Sequence, residues 1–134
     1  MAEMFTVEII CPDRTFYKGQ CQMVDFNSKE GRLGVYPNHA PITTVLAPGM
    51  VTLHEEGEAK KAALHSGFAT ILPDKITLLA EIAEWPEEID LDRARAAKER
   101  AEERLAKNDG NIDVLRAEAA LKKALTRLEV KNGI

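Results

Sequence analysis

Asp90 and Arg93, in the run Ile89-Asp90-Leu91-Asp92-Arg93-Ala94, have residue types and a spacing suited to chemistry. Three apart, they share one face of a first helical turn. A guanidinium placed there binds phosphate oxygens in pairs, and a carboxylate accepts hydrogen bonds from hydroxyl or amine donors. Arg100 follows seven residues later, two turns along the same face, and Arg127 would close over the same ground if a second helix folds back. These residues also have a plainer reading. Asp90 is a natural N-cap, Asp92 suits the positive end of a helix, and arginines are common on helix surfaces. No Walker pattern accompanies them, so an anion bound here would be held rather than hydrolysed.

Catalytic patterns are otherwise missing from the sequence. His39, His54 and His65 fall in or beside separate strand-like runs and show no H-x-x-x-H spacing. Cys11 and Cys21 are ten apart with no C-x-x-C, and neither G-x-S-x-G nor G-x-G-x-x-G occurs. The histidines therefore read as structural or surface residues and the cysteines as small core hydrophobes. A hydrolase built on His39 and an acid has no supporting pattern. The run Glu30–Pro41 is the other distinctive stretch. Gly31 and Gly34 allow tight backbone turns, and Pro37 and Pro41 stiffen the second half of the run. A rigid loop projecting Arg32 and His39 is expected, either to meet a partner or as a well-made corner without one.

Two kinds of element must position these residues. From Phe5 to Ala80 the chain reads as short strands: Phe5–Ile9, Gln22–Asn27, Ile42–Leu46, Met50–His54, Ala62–His65, Phe68–Leu72 and Ile76–Ala80. Glu30-Gly31, Pro48-Gly49, Glu56-Gly57 and Pro73-Asp74 supply turns between them. After Trp85-Pro86 the composition changes. Leu91–Lys107 is rich in helix formers, with Ala94, Ala97, Ala101 and Leu105 on one stripe. Asn108–Asn111 ends that helix, and a second runs from about Asp113 to Val130 with Ala117, Leu121, Ala124 and Leu128 on one face. The fold class is α+β: an antiparallel β-sandwich over residues 1–86, then an antiparallel two-helix hairpin over 87–134. The facing stripes are mostly alanine, so the hairpin buries little area and should be only modestly stable.

Bulk properties exclude several functions. The chain has 134 residues, 45% hydrophobic and 30% charged, enough for a real core. Its net charge of −4 argues against non-specific binding to nucleic acid or an anionic membrane. Residues 1–89 carry 7 basic and 13 acidic side chains and residues 90–134 carry 11 and 9, so the two segments are fitted to different partners. Phe68–Leu72 and Ile76–Ala80 are too short to span a bilayer. No export signal is visible near Met1, so the cysteines are expected to be reduced thiols.

Gly31-Arg32-Leu33-Gly34-Val35-Tyr36-Pro37-Asn38-His39-Ala40-Pro41 closely resembles the G-x-L-G-[IV]-x-P-x-H-A-P stretch of the epsilon subunits of bacterial rotary ATP synthases. Pro48-Gly49 and Ser66-Gly67 also fall where that family places them, although Phe68 stands where a second glycine is usual. The resemblance continues through the Ala-rich helices and covers nearly the whole chain. It implies a non-catalytic central-stalk subunit of the proton-translocating enzyme, peripheral on the cytoplasmic face of the cell membrane and without direct insertion into it. The sandwich would bind the gamma subunit and the c-ring, with Glu30, Arg32 and His39 on the c-ring side. Arg32 occupies a position where some relatives carry an acid. The helices would switch between a folded hairpin and an extended form that reaches the alpha and beta subunits and suppresses ATP hydrolysis. Ile89–Ala94 resembles the family's I/L-D-x-x-R-A element. That likeness implies ATP, with or without Mg²⁺, as a regulatory ligand of Glu84, Ile89, Asp90, Arg93, Arg100 and Arg127. A stand-alone nucleotide-sensing module without a motor is the competing expectation.

Overall fold

The computed structural model of the chain describes residues 3–107 and 113–132. Strand β1 (Phe5–Cys11) alternates fully and partly buried residues, with Val7 and Ile9 wholly enclosed. It is followed by β2 (Arg14–Cys21), β3 (Met23–Ser28), β4 (Gly31–Val35), β5 (Ile42–Leu46), β6 (Gly49–Glu55), β7 (Glu58–Ile71) and β8 (Lys75–Glu84). The strand order is β2-β1-β8-β7-β5-β3-β4, and β6 pairs with both β3 and β7, so the sheet folds over into a sandwich. Neighbours run antiparallel except β1 and β8, which are parallel with Ile9 opposite Leu78. Phe26, Ile9, Leu53, Leu64, Ile76 and Leu78 are among the largest enclosed side chains. The buried thiols of Cys11 and Cys21 are free and belong to the same core.

Three strand expectations differ from the fold. Arg14–Cys21 forms β2, although the adjacent aromatics Phe16 and Tyr17 are both buried and interrupt the alternation. The expected rigid loop is, from Gly31 to Val35, the strand β4, paired with β3 through Arg32 opposite Asn27. Ala62–His65 and Phe68–Leu72 are, up to Ile71, parts of one long strand, β7. It pairs with β6 up to Leu64 and with β5 from Gly67 onward, exchanging partners at Ser66-Gly67. Gly67 has φ +137°, and a Cβ there would lie 1.8 Å from the Leu79 carbonyl oxygen, so only glycine fits this crossing.

Helix α1 spans Leu91–Lys107 as expected, and α2 spans Val114–Asn132. Asp90 and Asp113 cap them, their Oδ1 atoms accepting from the Arg93 and Arg116 amides at 3.1 Å. Ala94, Ala101, Ala117 and Ala124 are buried where the helices meet. The Asn108–Asn111 turn lies outside the described residues. The hairpin rests on the sandwich through α2. Val130 packs with Ile89, Ala63 and Met50, and Lys131 Nζ donates to the Pro86 carbonyl at 3.0 Å. Among the described residues no helix is long and apolar enough to cross a membrane.

Candidate functional site

Strand β8 ends at Glu84, and the chain reaches α1 through a short, firmly held junction. Trp85 stacks on Phe16 with ring centroids 4.3 Å apart and meets Tyr17 edge-on. A single 3₁₀ turn, Pro86–Glu88, comes next. Glu88 Oε1 accepts from Arg14 Nη2 and from the Trp85 amide, each at 2.9 Å, and Arg14 also donates to the Ala83 carbonyl at 3.2 Å. Ile89 is then buried beneath α2, which leaves Asp90 at the start of α1.

Between this junction and the two helices lies a cleft of about 260 Å³ lined by Glu84, Ile89, Asp90, Arg93, Arg100 and Arg127, together with Glu88. All six residues singled out in the sequence are therefore brought together, from a strand end, a junction and two helices. The guanidiniums of Arg93, Arg100 and Arg127 supply donors suited to an anion. The carboxylates are held in place. Arg127 Nε donates to Glu84 Oε1 at 2.7 Å, and His65 Nε2 lies 3.0 Å from the same oxygen. Burial pushes the Glu84 carboxyl upward, but the hydrogen bonds from His65 and Arg127 outweigh it and keep the group below the usual carboxylate range. Bonds from Arg14 and the Trp85 amide likewise hold Glu88 low. Both remain ionised acceptors at neutral pH. Asp90 has one oxygen committed to capping α1, so the plain reading of that residue is also correct.

His65, Arg14 and Glu88 complete this arrangement and were not legible as site residues. Their separations from the residues they hold are 19 for His65 to Glu84 and 74 for Arg14 to Glu88. No local pattern signals such pairings.

The second set does not form one cluster. Arg32, expected to project, instead lies along the sheet, donating to Asp25, to Asn27 Oδ1 at 3.0 Å and to the Met50 carbonyl. Asp25 also holds His54, whose Nε2 is 2.8 Å from Oδ2. Arg32 borders a groove shared with Lys122 and Glu129 of α2. Glu30 is exposed in the β3–β4 turn. His39 lies beyond the other end of β4, its Nδ1 2.6 Å from the Ala40 carbonyl. That loop is fixed by Asn38, which has φ 67° and bonds to the Pro73 carbonyl and to Glu3. The sandwich also carries an apolar row in the open. Phe68 and Leu79 are 54% and 46% exposed, paired side by side, with Val45 and Ile10 extending the row across β5 and β1.

Residues 4–86 match the family described as ATP synthase, Delta/Epsilon chain, beta-sandwich domain, and residues 87–132 match its long alpha-helix domain. The chain belongs to the ATP synthase delta/epsilon family. Among curated relatives, it is 41% identical to the ATP synthase epsilon chain of Ruminiclostridium cellulolyticum over 96% of both chains. It is 45% identical to that of Shouchella clausii over 92% of both. The epsilon chain of Koribacter versatilis is 49% identical over 78% of this chain and 74% of its own. The fold recurs in a chain of the Euglena gracilis mitochondrial ATP synthase (OSCP/F1/c-ring), with TM-score 0.79 at 23% identity over 94% of this chain and 79% of that one. A chain of the Tetrahymena thermophila enzyme's central stalk and c-ring matches with TM-score 0.59 at 14% identity, over 98% and 96%. Membership of this family makes the chain a non-catalytic subunit of the ATP synthase.

Proposed function

We propose that this epsilon subunit couples the central stalk to the c-ring of a proton-translocating synthase and uses its hairpin as an ATP sensor. The observation that carries the sensor reading is the single cleft shared by Glu84, Ile89, Asp90, Arg93, Arg100 and Arg127. A ligand there touches β8, both helices and the junction at once, so it binds the docked hairpin and not an undocked one. The three guanidiniums suit a polyphosphate, and Glu84 and Asp90 suit hydroxyl or amine donors of the ribose and base. The cleft is slightly smaller than the roughly 300–1,000 Å³ common for ligand pockets, so it would enclose only part of the nucleotide. An accompanying Mg²⁺ would be carried by the phosphates.

A ligand that binds one form alone shifts the balance by about 2.7 kcal/mol at one hundred times its dissociation constant. With an interface made largely of alanine, that shift is enough to reverse a modest preference between docked and extended hairpins. High ATP would keep the hairpin docked. Falling ATP would release it toward the alpha and beta subunits, where it would suppress hydrolysis. Arg93→Ala removes a charge-assisted contact and should weaken ATP binding about tenfold or more in calorimetric titration of the isolated chain. Equal affinity in the two proteins, or no wild-type binding at millimolar ATP, defeats the sensor reading and leaves the family assignment standing.

For partners, the apolar row of Val45, Phe68, Leu79 and Ile10 suits the gamma subunit, since exposed patches of this kind mark protein interfaces. A stand-alone sensor would have no use for it. The c-ring contact would draw on His39 and on the exposed Glu30, which lie at opposite ends of β4 and so would meet it separately, with Arg32 contributing through its neighbours, on the cytoplasmic face of the membrane. Deleting residues 88–134 should leave gamma binding and ATP synthesis largely intact in reconstituted enzyme. Loss of gamma binding in that truncation would mean that the hairpin carries the contact.

A further inference from the structure

His65 sits in a run of four consecutive buried residues, Ala62–His65, where its three neighbours are apolar. A polar ring there is costly unless it is hydrogen-bonded, and an aliphatic residue would pack the position as well. The ring makes its bond outward. Its Nε2 is 3.0 Å from Glu84 Oε1, the oxygen that also receives Arg127 from α2. Ionised Glu84 can only accept, so the imidazole Nε2–H donates. Nδ1 is buried with no hydrogen-bond partner among the described residues, so a proton placed there instead would be left unsatisfied.

We propose that His65 is a positioning residue that fixes the Glu84 carboxylate in advance. A free glutamate side chain samples several rotamers, and ordering it opposes every contact it makes. Held through Oε1 by the imidazole, Glu84 presents a preformed acceptor to Arg127 and so anchors α2 to the sandwich. Its second oxygen, Oε2, has no hydrogen-bond partner among the described residues and stays available to a donor on a ligand in the cleft. Only this last part rests on the sensor reading; the anchoring needs no ligand.

Nitrogen-15 spectra of the wild-type imidazole should show the proton on Nε2 and a bare Nδ1, and a proton on Nδ1 overturns the proposal. His65→Leu removes the donor while filling the space. In the nucleotide-free full chain it should speed amide exchange in α2 about tenfold, the effect of losing one bond to a charged group, with β1 and β8 unchanged. ATP binding should weaken about tenfold by the same measure. His65→Gln returns an N–H donor and should recover most of both effects. In a Glu84→Ala background, which leaves the imidazole no acceptor, His65→Leu should alter neither. Unchanged α2 exchange, equal acceleration throughout the sandwich, or the same effect in the Glu84→Ala background would each overturn the proposal. Should His65→Leu not fold, the wild-type tautomer and His65→Gln remain decisive. If the wild type binds no ATP while α2 exchange responds as stated, the sensor reading fails and the positioning role stands.

Discussion

The sandwich and the hairpin hold themselves together by different means. The sandwich encloses large side chains such as Phe26, Ile9 and Leu53 on strands joined edge to edge. In the hairpin, the buried residues of α1 are alanines alone, and α2 adds Thr126 and Val130. Its attachment to the sandwich depends on a few polar contacts around one small apolar cluster. A shallow interface with a small number of directional bonds can open locally, whereas a deep core opens only with the whole domain.

The largest effect should come from breaking the platform. Phe26→Ala opens a cavity in a fully packed core and should cost about 3–5 kcal/mol in denaturant unfolding. A loss well below that would mean the two regions do not differ in this way. Next is the polar anchor. Arg127→Ala leaves Glu84 partly buried without its cation, and because both groups are partly exposed the cost should be about 1–2 kcal/mol. That cost should appear as faster amide exchange in α2, with the sandwich melting temperature unchanged. A lowered sandwich melting temperature would contradict the division.

The smallest effect should be seen on acidification. Glu84 is held below its ordinary value of 4.5 despite its burial. A depressed carboxyl contributes its full stabilisation above the ordinary value and loses it as pH falls through the lower folded value. Docking of α2, followed by amide exchange corrected for intrinsic rates, should therefore be constant from neutral pH down to the ordinary carboxylate range and weaken below it. Glu84→Gln should abolish that dependence, and a persistent one would assign it to another group.

Much of this division is readable in the residues themselves. Helix α1 is a run of strong helix formers with one alanine stripe, and its limits follow from composition. Strand β5 is equally plain, being a short β-branched run between proline-containing turns. Strand β2 was hidden because buried Phe16 and Tyr17 are adjacent and Gly19 interrupts the run, so tertiary packing overrides the period-two pattern. In β4, glycines read as loop signals, but pairing with β3 holds them in a strand. Asp90, Arg93, Arg100 and Arg127 were legible from their spacing along two helices, whereas Glu84 and Ile89 came only from the likeness to the epsilon subunits. His65 was not legible, since its partner depends on which strands become neighbours. The partners of Arg32 were not legible for a related reason: its guanidinium, though exposed, is drawn onto the sheet by Asp25 on the adjacent strand.

The parallel pairing of β1 with β8 has a consequence for how the chain is made. Until Lys75–Leu79 exist, β1 has only β2 beside it, and its other edge stays unpaired. At a synthesis rate of roughly 5–20 residues per second, β1 waits about 3–13 s for its second neighbour. Contacts of such long sequence separation also form slowly once available. The hairpin, whose contacts are local, can close as soon as it emerges, so it should form at almost the same moment as the platform that seats it.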